Sequence, residues 1–177
     1  MQQGLAFVTE DRKTQGLLLP QSLRANITLT RLRAMGNRVG VLDRQRERAA
    51  ANQFIQQLSV RCASAEQPVV ELSGGNQQKV VIAKWLNRAP QILLFDEPTR
   101  GIDVGAKFEI YRLLSELAAQ GCCILVASSE LKELLALCDR IAVMSAGKLV
   151  ATFARGAWSQ DEILRAALSE HTARKNA

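Results

Sequence analysis

Leu72-Ser73-Gly74-Gly75-Asn76-Gln77-Gln78 and, soon after it, Ile92-Leu93-Leu94-Phe95-Asp96-Glu97-Pro98 are the stretches whose reading decides the fold. In the second, an apolar run ends in two acids and a proline, the pattern of a short buried strand running into a turn. In the first, a serine and two glycines open an apolar-periodic segment that stops before Pro90, so residues 74–87 read as a helix with Ser73 as N-cap. A helix followed by a wholly apolar strand, with Gly and Pro as punctuation, indicates a parallel α/β sheet covered by helices on both faces.

The same rhythm continues downstream. Residues 104–119 read as a helix capped by Asp103 and closed by Gly121, residues 124–127 as a strand, and residues 131–137 as a short helix. Ile141-Ala142-Val143-Met144, the turn Ala146-Gly147-Lys148 and residues 149–153 read as a hairpin at the sheet edge. A last helix covers residues 160–169, followed by a frayed tail, 171–177. Upstream, Leu5-Ala6-Phe7-Val8 reads as a strand, residues 11–20 as a polar loop and residues 22–35 as a helix interrupted at 36–40. Asp43 then caps a helix whose Ala50, Phe54 and Leu58 form one apolar stripe. Three segments are thereby expected: a helical subdomain at about 21–67, a central part at about 68–158, and a C-terminal helix and tail at 159–177.

A chain of 177 residues, 47% hydrophobic and 23% charged, is long enough to bury a core. No run approaches the ~18 to 20 apolar residues of a membrane span, and residues 1–10 lack a basic, cleavable start, so a cytoplasmic chain is expected. The four cysteines, Cys62, Cys122, Cys123 and Cys138, form no Cys-x-x-Cys pair and share the chain with a single histidine, His171, which argues against zinc or a disulfide framework. Cys122 and Cys123 read as small buried residues of a strand. The net charge of +6 is dispersed over helical segments, and no aromatic lies inside a basic cluster, so nucleic acid is not an expected partner.

Two places carry chemistry. Asp96 and Glu97 end an apolar strand, and the carboxyl ends of strands are where an open α/β sheet presents functional groups. Phosphoryl transfer needs a metal to neutralise phosphate oxygens and a group to orient water; Asp96 suits the first, holding Mg²⁺ through water, and Glu97 the second. Ser73-Gly74-Gly75 opens a helix whose first amides have no intrahelical acceptor, a geometry suited to phosphate. The competing structural readings are a solvated strand end and an ordinary capped helix.

Order and spacing together resemble the ABC-transporter ATPases over nearly the whole chain, which implies a P-loop NTPase-like cassette. Residues 72–78 match the family signature, residues 92–97 the Walker B strand and Arg100-Gly101-Ile102-Asp103 the D-loop. The form Leu-Ser-Gly-Gly-Asn-Gln-Gln, with Asp-Glu-Pro-Thr-Arg-Gly-Ile-Asp-Val-Gly-Ala-Lys and an early Glu-Asp-Arg-Lys, is similar to the second cassette of tandem-cassette ATPases that energise bacterial monosaccharide importers. The resemblance implies ATP and Mg²⁺ as cofactors, Glu97 as catalytic base and Asp96 as metal residue. It implies that Ser73, Gly74, Gly75 and Asn76 touch a nucleotide bound by a partner cassette, and that Asp103 lies at the interface between cassettes. Glu10 takes the position of the Q-loop glutamine and Ser129 that of the switch histidine. Residues 21–67 would dock on a transmembrane permease subunit, which places the chain at the inner face of the cell membrane.

Three departures bear on catalysis. No Gly-x-x-x-x-Gly-Lys-Ser/Thr loop occurs in residues 1–177, nor the strands expected before it. Charge-assisted hydrogen bonds contribute ~1.5 to 3 kcal/mol each. Losing three costs roughly 4.5 to 9 kcal/mol, about three to six orders of magnitude in affinity. Serine at Ser129 cannot act as an imidazole and suits a helix N-cap, and Glu10 adds negative charge near phosphates. Such departures at 10 and 129 are usual for second cassettes of the sugar-importer group, by the same resemblance. An importer ATPase component inactive alone, a non-enzymatic module donating its signature helix to a partner, and an inert remnant remain open at this point. The elements that the loop would bring are expected to pack beside residues 92–95, so a sheet edge or apolar face should stand exposed without them.

Overall fold

The computed structural model describes residues 4–37 and 40–175, with side chains to residue 169. The chain divides into two compact units, Met1–Ala127 and Ser128–Ala177. The division falls within the segment read as residues 68–158.

The first unit begins with strand β1 (Leu5–Val8), followed by a single π turn (Arg12–Gly16), helix α1 (Leu23–Thr28), a 3₁₀ turn (Leu29–Arg31) and helix α2 (Leu32–Met35). Helix α3 (Arg44–Gln57), a second 3₁₀ turn (Val69–Glu71), helix α4 (Gly74–Leu86), strand β2 (Ile92–Asp96), helix α5 (Val104–Ala119) and strand β3 (Cys123–Ala127) complete it. The strands form one parallel sheet in the order β1-β2-β3.

The segment 22–35 is not one helix. The Thr28 hydroxyl lies 2.9 Å from the Arg24 carbonyl and 2.8 Å from the Glu47 carboxylate, while the Thr30 hydroxyl donates to the Lys84 carbonyl at 2.6 Å. Threonine side chains competing for backbone and tertiary partners break the α ladder here. Helix α3 is capped by Asp43, whose Oδ1 accepts from the Gln45 and Arg46 amides. Its buried face is rotated from the expected stripe: Glu47, Ala51 and Leu58 are buried and Ala50 is half-exposed. The reason is ionic. Glu47 turns inward to meet Arg24 at 2.7 Å, and Arg24 also holds Glu66 at 2.9 Å.

Three acids of this unit are held below the usual carboxylate range: Asp11 by a hydrogen bond from the Thr14 hydroxyl, Glu66 by one from Arg24 and Glu109 by one from Lys79. A carboxylate with a lowered folded pKa contributes stability that is fully present above its unfolded value, about 4.3 for glutamate, and is lost as pH falls through the folded one. The urea midpoint is therefore expected to drop on acidification below about pH 4.5, and Glu109→Gln to give a shallower drop than wild type. An equally steep acid limb in the variant would refute this assignment.

Residues in register share a face of the sheet. Ala6 and Leu93, then Val8 and Phe95, are buried, with α4 against β1 and α5 against β3. The opposite rows, Leu5-Ile92-Cys123 and Phe7-Leu94-Leu125, lie open; Leu5, Phe7 and Leu125 are 42%, 44% and 63% exposed. Strands too apolar for a one-sided sheet thus carry an exposed apolar face, and Cys123, read as buried, is exposed on it while Cys122 is half-buried and precedes the strand.

In the second unit, helix α6 (Leu131–Leu137), strands β4 (Arg140–Ser145) and β5 (Lys148–Ala154) and helix α7 (Gln160–Lys175) surround a core of Ile141, Val143 and Ile163. Ala146 and Gly147 both have positive φ, 47° and 82°, the two-residue turn whose twist matches a hairpin. The hairpin expected at the edge of the parallel sheet is instead a separate antiparallel sheet. β4 buries alternate residues, Ile141, Val143 and Ser145, against its own unit, and the Ser145 hydroxyl donates to the Ala167 carbonyl at 2.7 Å. Helix α7 runs past residue 169, where fraying was expected; residues 176 and 177 of the tail lie outside the described residues. Among the described residues no helix is long and apolar enough to cross a membrane.

Candidate functional site

The turn after β2 begins with a strained residue. Glu97 has φ 47°, the left-handed region that a non-glycine residue occupies at a cost on the order of 1 to 3 kcal/mol. Its amide donates to the Ala127 carbonyl at 2.8 Å, and its carbonyl accepts from the Arg100 amide at 3.1 Å, so strand pairing and turn closure together hold it there. Asp96 and Glu97 are both half-buried at the carboxyl edge of the sheet. Strain at an acidic strand terminus is what a functional turn would show.

From Glu97 the chain turns through Pro98-Thr99-Arg100-Gly101 to Asp103, whose Oδ1 accepts from the Ala106 amide at 2.9 Å and caps α5. This turn rests on the start of α4. A Cβ on Gly74 would lie 3.3 Å from the Gly101 carbonyl oxygen, and one on Gly75 would lie 2.6 Å from Cβ of Ala106. The two glycines read as an opening for a ligand are thus also demanded by close packing, Gly75 against α5 and Gly74 against the turn at Gly101.

Ser73 has the extended backbone of an N-cap but caps nothing with its side chain; its hydroxyl accepts from Asn76 Nδ2 at 2.9 Å. Asn76 Oδ1 in turn accepts from the Arg61 amide at 2.8 Å, so the Asn76 carboxamide links the Ser73 hydroxyl to the segment before it. Among the described residues no side-chain cap closes the first turn of α4, which leaves the helix start suited to phosphate, with Ser73 exposed beside it. For magnesium, the described residues gather no group of three or more His, Cys, Asp or Glu side chains. A water-bridged contact of Asp96 to an ion held by nucleotide phosphates fits that donor set, and a protein-built coordination shell does not.

Glu10 forms an ion pair with Arg100, so the negative charge expected near phosphates is compensated within the chain. Ser129 belongs to the second unit and is exposed in the bend before α6. The N-cap there is Glu130, and it is the Ser128 hydroxyl, not that of Ser129, that accepts from the Glu130 amide.

Sequence reasoning gave Arg12 no role, because it stands in what reads as a polar loop. Asp11 instead caps a π turn, accepting from the Lys13 and Thr14 amides and from the Thr14 hydroxyl, whose hydrogen bond is the main cause of its lowered pKa. The turn sends Arg12 inward, where burial pushes the guanidinium pKa down. Its Nη1 donates to the Arg100 carbonyl at 2.8 Å and its Nη2 to the Gly101 carbonyl at 3.1 Å. No periodicity marks a single buried arginine, and only the juxtaposition of distant loops reveals it.

Residues 3–100 match the family model described as ABC transporter. The chain is 48% identical over 165 residues to a ribose import ATP-binding protein of Hahella chejuensis, covering 93% of this chain and 33% of that one. It is 49% identical over 162 residues to an L-arabinose transport ATP-binding protein of Geobacillus stearothermophilus, covering 92% and 31%. It spans about a third of the length of the curated relatives it matches. Among solved structures, a dimeric post-hydrolysis state of an ATP-binding cassette bound to ADP and Pi superposes with a TM-score of 0.70 at 23% identity, covering 87% of this chain and 64% of that one. That likeness shows the fold, an α/β cassette fragment.

Proposed function

The chain belongs to the ABC transporter family, and on that premise we propose that it is part of the ATP-binding component of a carbohydrate importer and works by lending its signature helix to a nucleotide held on a partner cassette. The observation that carries this reading is the packing of two helix starts side by side, the uncapped first turn of α4 against the D-loop and first turn of α5. Helix N-termini favour anions, and here Ser73, Gly74 and Gly75 can present a hydroxyl and amides to phosphate oxygens, with Asn76 reaching them once its bond to the Ser73 hydroxyl is released. The relatives named for ribose and L-arabinose transport support a monosaccharide system, and the dimeric neighbour supports a cassette partner.

In this reading Asp96 and Glu97 occupy the positions that, in a cassette with its own phosphate loop, would hold a magnesium-bound water and take the proton of the attacking water; Asp103 lies at the cassette interface, and Glu10 and Ser129 occupy the Q-loop and switch positions. The helices of residues 21–67 form the surface for a transmembrane permease subunit, and the chain sits peripherally at the inner face of the membrane. A groove lined by Leu29, Val41 and Leu42 of that subdomain and by the neighbouring Leu18, all substantially exposed, supports such docking.

The residues that grip phosphates in a Walker A loop are absent from residues 1–177, so calorimetric titration of the purified chain with Mg-ATP is expected to show no saturation below the millimolar range. Micromolar binding, with turnover abolished by Glu97→Gln, would overturn the proposal that the chain acts only in trans.

A further inference from the structure

The geometry points to Arg12 as a positioning residue: its buried guanidinium clamps the D-loop turn onto the first turn of the signature helix. Arg12 is only 8% exposed, and its fork spans two consecutive carbonyls, those of Arg100 and Gly101. Nη2 also stands 2.8 Å from where a Cβ on Gly74 would be, so the same group fills the space above the start of α4. Three segments distant in sequence, the π turn 12–16, Gly74 and residues 100–101, thus meet on one planar cation.

The arm that carries it is fixed at both ends. Asp11 holds the beginning of the π turn. At the other end the Gly16 carbonyl accepts from the buried Lys84 Nζ at 2.7 Å, and a Cβ on Gly16 would lie 3.2 Å from Cγ2 of Val81. Burying a guanidinium with its Nε unpartnered is costly. A loop residue with solvent available one turn away would stay outside unless the contact were specific. Lysine offers a point charge in place of a planar fork and cannot bridge both carbonyls in this way.

Because the Arg100 amide closes the turn on the Glu97 carbonyl, the clamp ties the strained acid, the D-loop and the signature helix into one body. A shift of the segment after β1, which carries Glu10, would then move all three together. The assignment of a nucleotide-facing role to this body rests on the reading proposed above; the clamp itself is a property of the chain alone.

Hydrogen exchange on the full chain tests it with Arg12→Gln, Arg12→Lys and Gly74→Ala. In each variant the amides of residues 100–106 and 74–78 are expected to exchange at least about tenfold faster relative to those of β2 and α3. Lysine is expected not to rescue, and Gly74→Ala to act alike by displacing an intact Arg12. Acceleration confined to residues 12–16, uniform acceleration across the unit, or full rescue by lysine would each overturn the clamp. If Arg12→Gln does not fold, the other two variants decide. The wild-type chain is mixed in parallel with a complete cassette subunit: no effect on the partner's ATPase would sink the proposed function, while the exchange pattern still judges the clamp.

Discussion

Gly75→Ala is expected to lower the unfolding free energy of the first unit by about 2 kcal/mol, although alanine is the better helix former. Propensity alone would favour alanine by roughly 1 kcal/mol. Against it stands a Cβ placed 2.6 Å from Cβ of Ala106, an atom tied directly to the α5 backbone, with no flexible end to give way. Overpacking of that kind costs about 1 to 3 kcal/mol and at times more, so relief requires α5 to move. Gly105→Ala is the control: its nearest neighbour would be Asp103 Oδ1 at 3.5 Å, an ordinary contact, and a gain of roughly 0.5 kcal/mol is expected. Urea unfolding followed by Trp85 fluorescence in a Trp158→Phe background reads this unit specifically. A Gly75→Ala chain more stable than wild type would show that the two helix starts are not in contact.

Arg24→Ala is expected to cost more, about 3 to 5 kcal/mol, because it strands a carboxylate. The Glu47 side chain is 4% exposed, and without Arg24 it keeps only the Thr28 hydroxyl as a polar partner among the contacts described. Glu66, by contrast, is half-exposed and would return to water. The asymmetry gives a second result to check: the double variant Arg24→Met/Glu47→Met should recover at least half of the loss, since removing both members of a buried pair is far cheaper than removing one. A loss below about 1 kcal/mol in Arg24→Ala would mean that Glu47 reaches solvent.

Much of this architecture is legible in the residues because local signals and tertiary demands agree. Leu5-Ala6-Phe7-Val8, the strand ending at Asp96 and the α3 and α5 starts capped by Asp43 and Asp103 all fall where strand patterning and capping chemistry put them. What escaped has physical causes of its own. The helix expected over 22–35 breaks because threonines found tertiary partners, and the α3 stripe is rotated because an ion pair outweighs the apolar period that Ala50 suggests. The hairpin separates from the parallel sheet because its apolar side packs on α7. At the site, the residues themselves singled out Ser73, Gly74, Gly75, Asp96 and Glu97 and the family resemblance added Asp103, but neither indicated that Arg12 would be driven between the loops or that Arg100 would pair with Glu10. Those are contacts between loops, where no periodicity operates.

The central claim, that this chain offers its signature helix to a nucleotide on another cassette, is tested most directly by the ATPase rate of a complete cassette subunit titrated with the purified chain. The account predicts a saturable change in the partner's rate that disappears with Ser73→Ala and persists with Glu97→Gln. A rate that does not respond to the wild-type chain, or that responds equally to the Ser73→Ala chain, would contradict it.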